Sequence, residues 1–485
     1  MTLALKQITT VSLSSNPFTD YTSPSSPLDS YIFNPSTGIF VFNYRNSSPG
    51  ANVGIVNSSS GTNLESFFSS PSGGINGQTH PGLDFSPLGQ HYVVYGGGLC
   101  GTSACPNNNG SAACGPWYVI YNKSNGTIGS PTCKAFQSNE YYGDFQQIVA
   151  DLVDGYVIIM FANAQLTPET GNLFVAFPFS QISTFASGTF PTTGTWALIN
   201  FPSTASGATS YIASMIMYDG SLYMPIEGNA SYLWVLPVSK IINSGNSGVY
   251  PPSGSSPITA GTIYTATSSG GYSAYTLATI SYSSGTFYIT LTYISYNNQP
   301  TAIVPILFNP SNTTFTSLPT TSFTGSLASV TSYNNVILVS SFSGSTTYLY
   351  VIDPITGANE STSVTGTVGW VSPNGYFVVA TSSMTATPLN FTIYQILFDQ
   401  TPTFQNVTIT VSGTKVTATG TLIDATSGNA ISGATVYLIA VRSYNDNFTD
   451  DVQIIGSTTT TSSGSFTVSG NTVSGINFYG VKYAP

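Results

Sequence analysis

One pattern constrains this chain more than any other. A polar turn built on Gly or Asn, followed by an apolar or alternating run, returns again and again along its first four hundred residues. It occurs as Pro35-Ser-Thr-Gly-Ile-Phe-Val-Phe42, Pro87-Leu-Gly-Gln-His-Tyr-Val-Val-Tyr95 and Val153-Asp-Gly-Tyr-Val-Ile-Ile-Met160. It returns as Tyr218-Asp-Gly-Ser-Leu-Tyr-Met224, Ser283-Ser-Gly-Thr-Phe-Tyr-Ile289, Tyr333-Asn-Asn-Val-Ile-Leu-Val339 and Pro373-Asn-Gly-Tyr-Phe-Val-Val379. Runs of this length, bounded by turn residues and without helical period, are strands. Repeats spaced roughly 40 to 65 residues apart, each with room for several strands, build a β-propeller. Seven such units predict an all-β, seven-bladed propeller over residues 1–400, and Leu3 to Leu13 can supply the strand that closes the ring. The competing arrangement is a row of β-sandwiches.

Composition narrows the function. Of 485 residues, 41% are hydrophobic but only 5% are charged, against roughly 25% charged in an average soluble domain. Eight Lys and Arg with a net charge of −10 exclude a nucleic-acid binder, which needs a basic face for phosphates. A polybasic membrane anchor is excluded on the same ground. Abundant aromatics, 13% of residues, oppose disorder. Carboxylates have reference pKa values near 4, so a fold that relies on few of them has little to lose in acid. That suits a hot, acidic habitat; a Ser/Thr/Asn-rich exterior in another setting is the alternative. Met1 to Phe18 has no secretory apolar core, and no run reaches the length of a membrane span. The chain is therefore expected to reach the exterior with segments outside this sequence or as part of a virus particle.

All four cysteines fall in one stretch, Cys100, Cys105, Cys114 and Cys133. The spacing is not that of a zinc site, and two disulfides stapling an insert at 100–133 are expected, their pairing left open among three possibilities. Sequons stand at Asn46, Asn57, Asn109, Asn122, Asn125, Asn229, Asn312, Asn359, Asn390, Asn406 and Asn447. A chain this rich in Asn, Ser and Thr carries a comparable number by chance. Their frequent place in turns is compatible with glycosylation.

Two stretches carry family resemblances. Tyr348-Leu-Tyr-Val-Ile-Asp-Pro-Ile-Thr-Gly357, followed by Val371-Ser-Pro-Asn-Gly-Tyr-Phe-Val-Val-Ala380, resembles the YVTN-type seven-bladed propeller repeat. Asn374 stands where that family has Asp, and Leu88 does so in Ser86-Pro-Leu-Gly. Beyond Gln400 the texture changes. Thr419-Gly-Thr-Leu-Ile-Asp-Ala-Thr-Ser-Gly-Asn-Ala-Ile-Ser-Gly-Ala-Thr-Val-Tyr-Leu438 and Thr460-Thr-Ser-Ser-Gly-Ser-Phe-Thr-Val468 resemble the carboxypeptidase regulatory-like domain. That resemblance implies an Ig-like β-sandwich over 403–485, with Gly428, Gly433 and Gly464 in turns and Ala434, Val436 and Phe466 facing inward. It also implies a structural, adhesive spacer.

Catalytic groups are sparse. His80 and His91, the only histidines, stand near Asp84 without a Gly-x-Ser-x-Gly elbow; a turn cluster is expected there. Asp84, Glu140, Asp144, Asp151, Asp154 and Glu227 could furnish glycosidase carboxylates, but Asp154 and Asp219 precede Gly and read as turn residues. Asp446, Asp450 and Asp451 have the oxygen chemistry for Ca²⁺, yet their loop lacks the glycine of an EF-hand, and a solvated loop is expected. No catalytic site, metal or cofactor is predicted. Trp117, Tyr141 and Tyr142, near the cysteines, offer flat amphipathic faces for stacking on a sugar or partner.

The combined expectation is an oligomeric, non-enzymatic exterior protein. Its texture resembles exterior glycoproteins of thermoacidophilic archaea and of their viruses. The expected role is a tail-spike or fibre-like virion component that attaches to a host glycan or pilus, among other virion or surface-layer subunits. An archaeal cell-surface glycoprotein, S-layer-associated or filamentous, is the first alternative. A secreted glycan-active hydrolase is the second.

Overall fold

The computed structural model of the chain describes residues 3–13, 30–34, 39–46, 50–57, 62–68, 82–85, 91–96, 117–122, 132–133, 141–151, 156–166, 169–178, 181, 194–202, 215–218, 220–226, 231–247, 255–267, 272–283, 286–297, 299–333, 336–353, 357–372, 375–398, 402–424, 428–441, 443–445, 452–474, 476 and 479–484. In the first two sheets, and in parts of the others, the description is of backbone alone.

The chain is almost entirely β, in a propeller-like succession of antiparallel sheets. The first sheet runs Ser30–Asn34, Ile39–Asn46, Gly50–Asn57, Thr62–Phe68. The second runs Gly82–Phe85, His91–Gly96, Trp117–Asn122, Thr132–Cys133. The third runs Tyr141–Asp151, Tyr156–Leu166, Glu169–Pro178, Thr195–Asn200, with Ile258–Thr259 added in parallel to its last strand. The fourth comprises Ile216–Tyr218, Ser221–Ile226, Ser231–Pro237 and Thr262–Thr267. The fifth comprises Tyr272–Ser283, Thr286–Asn297, Gln299–Asn309 and Thr314–Ser317, and Thr321–Ser322 also pairs with its third strand. The sixth comprises Ser326–Tyr333, Val336–Ser343, Thr346–Ile352 and Asn359–Thr365.

The seventh sheet takes three strands from late in the chain, Val368–Val371, Tyr376–Ala380 and Leu389–Phe398. Its fourth strand is Leu3–Leu13, which pairs along the outer side of Leu389–Phe398. The two ends of this succession are thereby fastened by a ladder of backbone hydrogen bonds. The first sheet also packs against the seventh through Ser30–Asn34. Each of the seven turn-and-strand units read from the sequence spans the hairpin between the first and second strands of one sheet.

The sheets stack face to face, and strand periodicity decides which side chain meets which neighbour. In the fourth sheet Leu222, Met224, Trp234 and Leu236 pack on Ile158, Met160, Phe174, Ala197 and Ile199 of the third. The intervening Tyr223 and Leu233 turn to Val304, Ile306 and Phe308 of the fifth. In the sixth, Ile337, Val339, Tyr350 and Ile352 face Ile303 of the fifth. Leu338, Leu349 and Val351 face Phe377 and Val379 of the seventh. Burial on both faces explains why these strands read as continuous apolar runs and not as polar–apolar alternation.

Two glycines stand where a side chain would not fit, one within the fourth sheet and one between the sixth and seventh. Gly261 has φ +86, and a Cβ there would lie 2.3 Å from Trp234 Nε1. Trp234 is fully buried, donates to the Ala260 carbonyl (3.0 Å), and meets Phe174 and Phe201 edge-on, both at 5.8 Å. Gly375, φ +82, closes the Ser372-Pro-Asn-Gly turn under the Tyr333 ring.

From Pro402 onward two three-stranded sheets face one another. Pro402–Ser412, Lys415–Asp424 and Ser465–Asn471 form one. Val452–Thr459, Thr435–Val441 and Tyr479–Ala484 form the other. Their common core holds Val416, Ala418, Leu422, Val436, Leu438, Phe466 and Val468.

Candidate functional site

Every sheet of the propeller-like body has two ends. At the hairpin end the first strand turns into the second. At the entry end the first strand begins. In the second sheet Gly96 pairs with Trp117, and Trp117 with Cys133; both residues therefore stand at the entry end. The 97–116 segment, which carries Cys100, Cys105 and Cys114, connects two strands there. In the third sheet Tyr141 pairs with Gln165 and Tyr142 with Ala164, again at the entry end. The register thus brings Trp117, Tyr141, Tyr142 and Cys133 to corresponding ends of consecutive sheets.

Asn172 lies close by, on the third strand of the third sheet. It follows Gly171, which pairs with Ala164, the partner of Tyr142. Strand alternation puts it on the same face as Phe174 and Ala176, which turn toward the fourth sheet. It is 1% exposed, and neither its Oδ1 nor its Nδ2 has a hydrogen-bond partner among the described residues. Buried amides normally satisfy such groups. This one has hydrogen-bonding capacity left over near the end that carries the two tyrosines. Sequence reading missed it, because a single Asn within an apolar strand resembles any turn-former displaced by chance.

Of the candidate carboxylates, Asp84, Asp144 and Asp151 lie among the described residues. Asp84 sits on the first strand of the second sheet opposite Val93. Asp144 and Asp151 lie seven positions apart on the first strand of the third, opposite Ala162 and Tyr156. Such a separation spans about 23 Å of strand, beyond the reach of either glycosidase geometry. His91 begins a strand opposite Asn122. His80, Glu140, Asp154, Asp219, Glu227, Asp446, Asp450 and Asp451 lie outside the described residues, as do Cys100, Cys105 and Cys114. Among the described residues no group of three or more His, Cys, Asp or Glu could hold a metal ion.

Sequons occupy both ends. Asn57, Asn122, Asn312 and Asn359 lie at hairpin ends, and Asn46 and Asn390 at entry ends. Asn312 is exposed, and its Oδ1 accepts from the Thr314 amide (3.2 Å) and hydroxyl (2.6 Å) within its own sequon. Asn359 is also exposed; Asn390 is half-buried, its amide donating to Ser382 Oγ (2.9 Å). Asn406 is exposed at φ +52 in Pro402–Ser412. Asn109, Asn125, Asn229 and Asn447 lie outside the described residues.

Hydroxyls make polar bonds between the sixth and seventh sheets. The Val371 amide donates to Ser329 Oγ (2.8 Å), which lies 2.9 Å from Ser340 Oγ, and the Ser340 hydroxyl donates to the Gly369 carbonyl (2.7 Å). This relay leaves the seventh sheet, crosses two serines of the sixth and returns. None of its groups titrates between pH 2 and 10. Tyr376 and Tyr483 are both held above the usual phenol range, chiefly by burial, with the nearby Tyr333 phenol adding to the rise at Tyr376.

No protein-family model and no curated relative matches the chain. Solved structures similar to it include the dihydro-heme d1 dehydrogenase NirN in complex with DHE, 13% identical, covering 88% of this chain and 78% of that one, TM-score 0.35. An oligogalacturonate lyase in complex with manganese is 9% identical over 81% of this chain and 96% of its own, TM-score 0.38. The PQQ-bound aldose sugar dehydrogenase from Streptomyces coelicolor is 10% identical over 81% and 98%, TM-score 0.35. No activity, cofactor or partner passes from these remote likenesses to this chain. No helix among the described residues is long and apolar enough to cross a membrane.

Proposed function

We propose that this chain is a non-enzymatic exterior attachment protein: a seven-bladed propeller over residues 1–400, followed by an Ig-like sandwich over 403–485. In this reading the entry-end face of the propeller, around Trp117, Tyr141, Tyr142 and the disulfide-stapled insert at 100–133, recognises a host glycan or pilus. The sandwich is the spacer that joins it to neighbouring subunits. The carrier is a virus particle.

One observation carries the reading. Trp117 of the second sheet and Tyr141 and Tyr142 of the third share the entry end, while the chain leaves toward its last unit from the hairpin end, through Phe398 of the seventh sheet. A recognition face and an attachment face at opposite ends is what an attachment protein needs. Two further facts support it: the low charge, and the hydroxyl contacts between the sixth and seventh sheets.

Peptide mass spectrometry on gradient-purified virus particles and on washed envelopes of uninfected cells tests this. The expected result is stoichiometric chain in the particles, with hexose on sequon peptides. Recovery from uninfected envelopes alone overturns the virion reading in favour of a cell-surface glycoprotein. Residues 117–122 and 132–133 are strands of the second sheet, so a second test replaces only 98–115, between Gly96 and Trp117, with a short Gly-Ser linker and adds C133S. Adsorption is expected to be lost while folding is retained; unchanged adsorption removes this segment from the site.

A further inference from the structure

We propose that the free edge of the third sheet at Val149–Asp151 is a strand-accepting site filled by Ser443–Asn445 of the same chain, and that this strand addition clasps the last unit to the propeller. Ser443–Asn445 pairs antiparallel with Val149–Asp151, Ser443 opposite Asp151 and Asn445 opposite Val149. It joins the first strand of the third sheet from the side away from Tyr156–Leu166, so that the sheet has six strands. It also packs against Ile216–Tyr218, the first strand of the fourth sheet.

The chemistry is that of main-chain recognition. The first strand of a meander leaves one edge of N–H and C=O groups without a ladder partner. An extended segment satisfies that edge whatever its side chains, as in strand-addition complexes. The donor segment follows Thr435–Val441, a central strand of the last unit, so pairing at the third sheet holds that whole unit.

The clasp is the second of two attachments. The first is the chain itself, where residues 399–401 link Phe398 to Pro402, a span of at most about 14 Å. Phe398 lies at the hairpin end of the seventh sheet, beyond Gln395, which pairs with Tyr376. Asp151 lies at the hairpin end of the third, opposite Tyr156. One covalent tether leaves a neighbouring unit free to swivel. A second contact on a sheet remote in sequence, at the same kind of end, fixes its orientation. This inference holds whatever the entry end recognises.

Hydrogen–deuterium exchange on the full chain, resolved to single residues by fragmentation, tests it. The double variant S443P/Y444P removes two consecutive backbone donors, one of which faces Val149–Asp151 in either phase of an antiparallel ladder. Amides of residues 149–151 are expected to exchange about 10-fold faster or more in this variant, with a larger small-angle-scattering radius. The control S443T/Y444F retains wild-type exchange. Unchanged exchange and radius in the proline variant overturn the clasp. So does the absence, in the wild-type chain, of any protected amide facing Ser443–Asn445, a measurement that needs no variant to fold. Protection that rises with protein concentration assigns the strand to a second copy and overturns the intramolecular assignment.

Discussion

The boundary between the third and fourth sheets and that between the sixth and seventh solve one problem with different chemistry. The first is filled by large apolar groups around Trp234, which is clasped by Phe174 and Phe201 and makes one polar bond, to Ala260. The second is also apolar, through Leu338, Leu349, Phe377 and Val379, but a file of hydroxyls runs through it. Ser329, Ser340 and Thr347 are buried, and the Thr347 hydroxyl donates to the Gly366 carbonyl (3.2 Å). Where side chains are large, dispersion and burial hold the sheets. Where Ser and Gly bring backbones close, backbone groups are left facing one another, and hydroxyls must satisfy them. Neither boundary depends on a carboxylate at these contacts, which fits a chain with 5% charged residues.

This contrast can be broken at several points. The largest effect is expected at Trp234. W234A removes the centre of the apolar boundary, and urea unfolding should show a loss of about 3–5 kcal/mol. G261A should fall next, at about 2 kcal/mol or more. It forces a Cβ onto the Trp234 ring at a positive φ, and W234F/G261A should recover part of the loss if the clash is the cause.

At the hydroxyl boundary S340A orphans the buried Gly369 carbonyl and is expected to cost about 1–3 kcal/mol. A double-mutant cycle with S329A should show strong coupling, because both serines serve one relay. Purely additive losses would mean that the relay does not act as a unit. The smallest effect is expected from pH. The folded pKa of Tyr376 is raised, so its contribution is present below the unfolded value near 10 and is lost as pH rises through the higher folded value. Thermal melting should therefore fall in alkali, and Y376F should flatten that fall.

The sequence foretold the regular part of this architecture unevenly. All seven first hairpins were legible, because Gly, Asn and Pro turns punctuate apolar runs; Asn374-Gly375 is a clear case, with Gly375 supplying the positive φ. Leu3–Leu13 was legible as a strand, and it lies outermost on the seventh sheet, paired with Leu389–Phe398. Trp117, Tyr141 and Tyr142 were legible only as aromatic residues near cysteines. Their shared end emerges from the register of two sheets. Asn172 and the Ser329–Ser340 relay were not legible, since one polar residue in a strand looks the same whether it faces solvent or a backbone across an interface.

By itself, then, the sequence determined an all-β chain with sheets of a repeating period and a charge-poor, hydroxyl-rich surface. These are consequences of local turn geometry, strand period and composition, which act within a few residues. Only the tertiary structure decided that Ser443–Asn445 lies beside Val149–Asp151. A three-residue strand has too short a pattern to announce itself. Several first strands end their sheets with an edge of this kind, and which of them the segment meets depends on where the assembled sheets place it, a property of no single segment.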